Sequence, residues 1–138
     1  AMDGAVFAVE RNTEAIELIA QNRQKLGGFN VHIVQGHAPE VLADLPKPNC
    51  VFVGGSGGNM RKIIEIALTK NPKTRIVVNA IALETLQETQ RLFAEFGLQQ
   101  VEITQLSAAR GKNIGCYTMM TANNPVFILS GKGAKYDE

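Results

Sequence analysis

The sequence has 138 residues, of which 45% are hydrophobic, enough for the core of one domain. Its formal net charge is +1 and its 14 basic residues are scattered, so composition predicts neither a nucleic-acid partner nor binding to a membrane surface. Apolar runs are too short to span a membrane. Cys50 and Cys116 lack metal-ligand spacing, so we expect no metal site and two reduced, buried thiols of a cytoplasmic protein.

The chain begins with an apolar run followed by a helical pattern. Ala5–Val9 is continuously apolar and ends at Glu10, which is typical of a strand covered on both faces. A helix is predicted next, capped by Asn12 or Thr13 and stopped by Gly27-Gly28. We expect its buried stripe to consist of Ile16, Ile19, Ala20 and Leu26.

Two further predicted strands run into turns that suit a ligand. Val31–Val34 precedes Gly36-His37-Ala38, after which Pro39 begins a short predicted helix. Cys50–Val53, with Cys50 expected in the core, precedes the glycine-rich turn Gly54–Gly58. Glycines let a backbone approach a bound molecule closely, and open α/β sheets bind ligands at the carboxyl ends of their strands. We therefore predict a binding site there.

In the second half of the chain the alternation of strands and helices continues at first and then stops. A helix from Met60, a strand over Arg75–Val78 and a helix over Leu83–Phe96 continue the alternation. Val101–Gln105 and Val126–Leu129 then follow with no helical pattern between them, so an antiparallel pair at a sheet edge is predicted.

The fold class predicted from this order is α/β, a three-layer sandwich with a Rossmann-like, mostly parallel sheet and an antiparallel terminal strand pair. We expect residues 1–138 to form a single domain. The polar stretch Arg110–Gly115 is interpreted as a loop, and the chain is expected to fray after Gly131, over residues 132–138.

Glu10 stands where nucleotide-binding sheets place an acidic residue. A carboxylate at that strand end can accept both hydroxyls of a ribose, and we expect the three turns after the first three strands to line one crevice. No G-x-G-x-x-G precedes a helix, so the first visible strand is interpreted as the second strand of such a fold. Ala1-Met2 is interpreted as a cloning remnant, with a strand and a glycine motif expected before it.

Four motifs occur in an order that points to one family. They are F-A-V-E-R-N (Phe7–Asn12), G-H-A-P-E (Gly36–Glu40), V-F-V-G-G-S-G-G (Val51–Gly58) and N-P-V (Asn124–Val126). In this order the chain resembles the class I S-adenosylmethionine methyltransferases of corrin biosynthesis, above all the C15-methylating, decarboxylating domain of the precorrin-6Y C5,15-methyltransferases. The resemblance extends from Gly4 to about Gly131.

The resemblance implies S-adenosylmethionine as cofactor and S-adenosylhomocysteine as product. It implies a cofactor site made of Glu10, Arg11, Gly36, His37, Ala38, Gly54 and Gly55, with Glu10 on the ribose and the Gly36–Ala38 turn beside the adenine. Family members commonly carry an acidic or amide residue where His37 stands. The expected substrate-binding residues are Ser56, Gly57, Gly58, Arg110 and Lys112. The two cations, and Arg61 as a similar candidate, could steer carboxylates of the substrate, but they could equally be exposed surface charges.

The predicted function is C-methylation of a small-molecule corrinoid, a precorrin-6Y-type tetrapyrrole, at C15 with decarboxylation. The alternatives are an NAD-dependent oxidoreductase and a non-catalytic core that only folds or assembles. A homo-oligomer is expected, with Tyr117, Met119 and Met120 as packing or subunit-contact residues. A sheet without its central strand exposes backbone groups, so either Ala5–Val9 pairs directly with Cys50–Val53 or another chain fills the gap.

Overall fold

The computed structural model describes residues 4–134, and its contacts divide the chain into two compact units, Ala1–Lys47 and Pro48–Glu138. The first unit contains strand β1 (Val6–Glu10), helix α1 (Thr13–Leu26), strand β2 (Val31–Gln35) and a 3-10 helix (Glu40–Asp44). β1 and β2 form a parallel two-stranded sheet, in register from Val6 opposite Val31 to Glu10 opposite Gln35. The predicted strand–helix–strand order is confirmed.

Helix α1 has the predicted ends, and Ile16, Ile19 and Ala20 of its predicted stripe are half-buried. The Asn12 side chain accepts a hydrogen bond from the backbone N–H of Ala15 at 3.0 Å, and Gly27 ends the helix in the left-handed conformation. Leu26 is 78% exposed, so its place in the predicted stripe was wrong. The exposed Arg23 donates from Nη1 to the carbonyl of Val31 at 3.2 Å.

The second unit is built around a four-stranded mixed sheet. Its strands are β3 (Cys50–Val53), β4 (Arg75–Ala80), β5 (Gln99–Leu106) and β8 (Val126–Lys132), arranged in the order β3-β4-β8-β5. β3 and β4 are parallel, whereas β8 is antiparallel to both β4 and β5. The predicted antiparallel terminal pair is therefore confirmed as β5 and β8.

The core of this unit lies where helices α2 (Met60–Lys70) and α3 (Leu83–Glu95) supply their apolar faces. Its buried side chains are Met60, Ile63, Ile64 and Ala67 of α2, Ile76, Val78 and Ala80 of β4, Leu92 and Phe93 of α3, and Leu129 of β8. The i, i+3, i+4, i+7 spacing of the α2 residues is the pattern from which that helix was predicted. Helix α3 ends as expected before Gly97, whose φ is 63°.

The predicted loop over Arg110–Gly115 is a strand. β6 (Ala109–Ile114) and β7 (Tyr117–Ala122) form an antiparallel hairpin, and all twelve residues of its strands are exposed. The hairpin closes with a two-residue turn in which Gly115 has φ 61°, as the first central position of a type II′ turn requires. A strand that is exposed to solvent on both faces does not need alternating apolar residues. The polar composition of β6 therefore resembles that of a loop.

The cysteines and the end of the chain differ from the predictions. Cys50 and Cys116 are exposed rather than buried, because Cys50 starts the edge strand β3 and Cys116 lies in the hairpin turn. Inside the first unit β1 pairs with β2, and the two alternatives for the gap beside Cys50–Val53 stay predictions. The chain does not fray at Gly131: β8 continues to Lys132, and the N–H of Gly133 donates to the carbonyl of Thr74 at 2.9 Å. Residues 1–3 and 135–138 lie outside the described residues. Among residues 4–134, no helix combines the length and the hydrophobicity that a membrane span needs.

Candidate functional site

A cleft of about 320 Å³ lies at the carboxyl end of β3 in the second unit. The whole predicted turn Gly54–Gly58 forms one side of it, so the structure brings Gly54, Gly55, Ser56, Gly57 and Gly58 together. The N–H of Asn59 donates to the carbonyl of Ser56 at 2.9 Å, which closes the turn just before α2 begins. The turn therefore presents backbone, rather than side chains, to the cleft.

The glycines of this turn are there for different reasons. Gly57 and Gly58 have φ of 54° and 86°, a conformation that residues with a Cβ rarely adopt. Gly55 has no such φ, and a Cβ built on it would meet no atom of the described residues within 4 Å. The fold of the described residues therefore gives no reason for a glycine at Gly55, and the space next to it is open to a bound molecule.

The opposite side of the cleft carries polar side chains that the motif analysis had not assigned to the site. They are Asn79, near the carboxyl end of β4, and Thr85 and Glu88, one turn apart on α3. All three are half-buried. For Asn79 the sequence held a signal, since it directly follows the predicted strand Arg75–Val78, whereas Glu88 is one of several polar residues on a helix and carried none.

Glu10 lies in the first unit, at the last position of β1. Its Oε1 accepts hydrogen bonds from the backbone N–H groups of Arg11 and Asn12, each at 2.8 Å. These two bonds hold the pKa of the Glu10 carboxyl below its ordinary value, the Asn12 bond contributing most. Glu10 is half-buried, its carboxyl stays ionised at neutral pH, and the four lone-pair sites of the carboxylate leave capacity for two further hydroxyl donors.

The Gly36-His37-Ala38 turn adjoins Glu10. The N–H of Gly36 donates to the carbonyl of Glu10 at 3.0 Å, so the structure brings these two predicted residues together. A Cβ on Gly36 would collide with Val41, so packing of the 3-10 helix alone requires this glycine. His37 Nδ1 lies 2.8 Å from Oε2 of Glu40, which leaves Nε2 as the ring nitrogen for a ligand. That the turns of both units line one crevice stays a prediction.

The candidate cations are placed differently from one another. Arg61 donates from Nη1 and Nη2 to the two carboxylate oxygens of Glu95, both at 2.6 Å, and its guanidinium lies 5.8 Å from the centre of the Phe96 ring. It joins α2 to the end of α3 and is not a free cation. Arg110 and Lys112 are exposed on one face of β6 and do not line the cleft.

The family model and the relatives that match this chain point to the same protein family. A family model described as precorrin methyltransferase domain matches residues 1–132. The probable cobalt-precorrin-6B C(15)-methyltransferase (decarboxylating) of Pyrobaculum calidifontis is 43% identical over 126 residues, which cover 91% of this chain and 64% of that protein. The chain spans slightly less than two thirds of the length of the relatives first matched in sequence.

Solved structures agree with this match. The crystal structure of precorrin-6y C5,15-methyltransferase from Geobacter metallireducens has a TM-score of 0.85 at 36% identity, with 95% of this chain and 68% of that chain covered. The structure of precorrin 8w decarboxylase from Methanobacterium thermoautotrophicum has a TM-score of 0.81 at 41% identity, covering 94% and 70%. These likenesses confirm the predicted Rossmann-like class I methyltransferase fold.

Proposed function

This chain belongs to the precorrin methyltransferase domain family, and we propose that the protein methylates a cobalt-precorrin-6-type tetrapyrrole at C15, with loss of a carboxylate, as a step of cobalamin biosynthesis. Relatives that are longer than this chain carry this activity in their names. Family membership also favours methyl transfer over the NAD-dependent alternative that the acidic strand end had left open.

The open space at Gly55 is the observation that carries the proposal. A glycine that neither backbone conformation nor packing within residues 4–134 requires indicates close approach by a molecule from outside the fold. It lies in a cleft at the carboxyl end of a parallel strand, which is where open α/β sheets bind ligands.

The ionised carboxylate of Glu10 suits the ribose of S-adenosylmethionine, the cofactor that we propose. When bound, this cofactor supplies a methyl group already activated by a sulfonium, so the protein has to align the reactants and exclude water. The ionised Glu10, with Arg11 and the Gly36–Ala38 turn next to it, would hold the nucleoside through its ribose hydroxyls. Gly54 and Gly55 would border the other end of the cofactor.

The substrate side of the proposal rests on the charges of the hairpin and on the backbone of the glycine turn. The carboxylate that is lost leaves as CO2, and the electron pair of the broken bond stays in the conjugated ring system, where it makes C15 nucleophilic. Ser56, Gly57 and Gly58 would contact the tetrapyrrole edge. Arg110 and Lys112, exposed on β6, would attract its remaining carboxylates from outside the cleft.

Cofactor binding by the full-length protein tests the proposal. Titration calorimetry with S-adenosylhomocysteine should show that Glu10→Ala weakens binding by about tenfold or more, since a charged hydrogen-bond acceptor for the ribose is lost. Glu17→Ala, at an exposed position of α1, is the matched control and should bind as the wild type does. Equal affinities for all three proteins would remove Glu10 from the site, and heat release with NAD but not with S-adenosylhomocysteine would contradict the methyltransferase assignment.

We also propose that the protein is cytoplasmic and assembles with copies of itself. The two exposed free cysteines suit a reducing compartment. The β6–β7 hairpin exposes four large apolar side chains, Ile114, Tyr117, Met119 and Met120, each at least 51% exposed. Because an isolated two-stranded hairpin is marginally stable in water, a second copy that packs on its turn end at Ile114 and Tyr117 would stabilise it and leave Arg110 open to the substrate.

A further inference from the structure

His37 and Glu40 form a side-chain pair at the start of the 3-10 helix in the first unit. His37 Nδ1 and Oε2 of Glu40 are 2.8 Å apart, and the two side chains are 38% and 68% exposed. A pair that is exposed to this degree contributes little to the stability of a fold, because water screens it. Its main physical effect is therefore on the orientation and the protonation of the imidazole ring.

The pair decides which nitrogen of the ring carries the proton. A carboxylate has acceptors only, so the atom that donates across the 2.8 Å contact is Nδ1 of His37. In the neutral imidazole the other nitrogen, Nε2, then has no proton and keeps a free lone pair. Nε2 makes no hydrogen bond to another group within residues 4–134. His37 therefore presents an acceptor, and not a donor, to a molecule that binds beside it.

The backbone that carries this ring is held on both sides of His37. The N–H of Gly36 donates to the carbonyl of Glu10 at 3.0 Å, and the carbonyl of His37 accepts from the N–H of Val41 at 3.3 Å. Val41 also packs against Gly36, where it leaves no room for a Cβ. The imidazole therefore starts from a fixed point of the backbone, and its contact with Glu40 limits its rotation.

Glu10 and His37 follow neighbouring strands at the same edge of one sheet. In the parallel pair of β1 and β2 Glu10 stands opposite Gln35, two residues before His37. Neighbouring strands are about 4.8 Å apart. A nucleoside that Glu10 holds through its ribose can therefore extend its base over the Gly36–Ala38 turn. The 6-amino group of adenine donates hydrogen bonds, whereas a 6-oxo purine has an acceptor at the same position.

We infer that the neutral imidazole of His37, with its proton held at Nδ1 by Glu40, accepts a hydrogen bond at Nε2 from the 6-amino group of the adenine and so selects the adenosine cofactor against its 6-oxo counterpart. Glu40 is a positioning residue, since it acts on the cofactor only through His37. This inference rests on the proposed function, and it gives Glu40 a role that the motif analysis had not assigned.

Titration calorimetry on the full-length protein, at about pH 8 where an ordinary imidazole is neutral, compares S-adenosylhomocysteine with S-inosylhomocysteine. The wild type should bind S-adenosylhomocysteine about tenfold more tightly, because the 6-oxo group sets two acceptors against each other. His37→Ala should remove most of this preference, whereas His37→Asp, which supplies acceptors only, should keep it. His32→Ala, at the exposed second position of β2, is the matched control and should bind both compounds as the wild type does.

Glu40→Gln tests the positioning role separately. A glutamine amide can donate as well as accept, so it no longer holds the proton of His37 at Nδ1. The preference for S-adenosylhomocysteine should fall by about threefold or more. Nitrogen NMR of the imidazole should show an unprotonated Nε2 in the wild type and a mixture of the two tautomers in Glu40→Gln, a change that a merely structural role of Glu40 would not produce.

The outcomes separate this inference from the proposed function. Wild-type protein that binds the two compounds equally well overturns the inference and leaves the proposed function intact. A wild-type preference that persists in His37→Ala overturns it as well, and so does a wild-type spectrum in which Nε2 carries the proton. An unchanged preference in Glu40→Gln overturns the role of Glu40. Wild-type protein that binds neither compound contradicts the proposed function, and the inference fails with it.

Discussion

The glycine turn after β3 contains residues whose substitution should have opposite effects. Gly58 has a φ of 86°, so Gly58→Ala should lower the free energy of unfolding by about 1–2 kcal/mol. Gly55 has an ordinary φ and open space around its Cα. Gly55→Ala should therefore leave the stability unchanged or raise it by up to about 1 kcal/mol, because the unfolded chain loses conformational freedom.

For ligand binding, Gly55→Ala should be harmful although it leaves the stability of the fold unchanged. The added methyl group enters the space assigned to the ligand, and a contact that becomes too tight costs about 1–3 kcal/mol. Urea unfolding and calorimetry with S-adenosylhomocysteine and cobalt-precorrin-6B on the same samples measure both quantities. A Gly55→Ala protein that is as stable as the wild type and binds both ligands normally would show that the open space is not part of the site.

At the scale of elements, the ion pair between Arg61 and Glu95 connects the start of α2 with the end of α3. The pKa of Glu95 is lowered from its ordinary value of 4.5, chiefly by the hydrogen bond from Arg61. A carboxyl whose pKa is lowered in the folded state stabilises the fold above its ordinary pKa, and this contribution is lost as the pH falls through the folded value. The effect is modest, since both side chains are 44–45% exposed and water screens them.

This linkage gives a pH-dependent prediction. Glu95→Gln should lower Tm by no more than a few degrees at about pH 7, and the difference from wild type should vanish well below pH 4.5, where the wild-type Glu95 is protonated and as uncharged as the glutamine. Glu102→Gln, an exposed carboxylate of β5 without an ion pair in residues 4–134, should show no such trend. A Glu95→Gln deficit that persists unchanged in acid would mean that the pair does not contribute through its charge.

How far the sequence predicted each element depended on how local its signal was. The β3 strand, the glycine turn and the α2 helix form one contiguous pattern, and the structure has all three. The β6–β7 hairpin was missed because residues exposed on both faces leave no period of two, although Gly115 in a two-residue turn was a readable signal. Glu88 was missed because only the packing of α3 beside β4 distinguishes it from other polar helix residues.

At the scale of the whole molecule, the β6–β7 hairpin predicts assembly. Light scattering on the full-length protein should give the mass of an oligomer, and Tyr117→Lys combined with Met119→Lys should shift it to a smaller species. These two side chains project from the same face of β7 and are 71% and 54% exposed. Leu26→Lys, at a 78% exposed position of α1, is the control and should not change the mass. A monodisperse wild-type monomer contradicts the proposal.

Gly55 also has a consequence for how this family can diverge. Since no described residue requires a glycine there, a descendant can acquire a larger side chain at that position without losing the ability to fold. One substitution is then enough to reshape the cleft, whereas the buried residues around Ile64 and Val78 tolerate little change in volume. Because Gly55 is assigned to the border of the cofactor, lineages that keep S-adenosylmethionine are expected to keep a glycine at this position, whereas a lineage that has lost the cofactor is free to replace it while it keeps the same core.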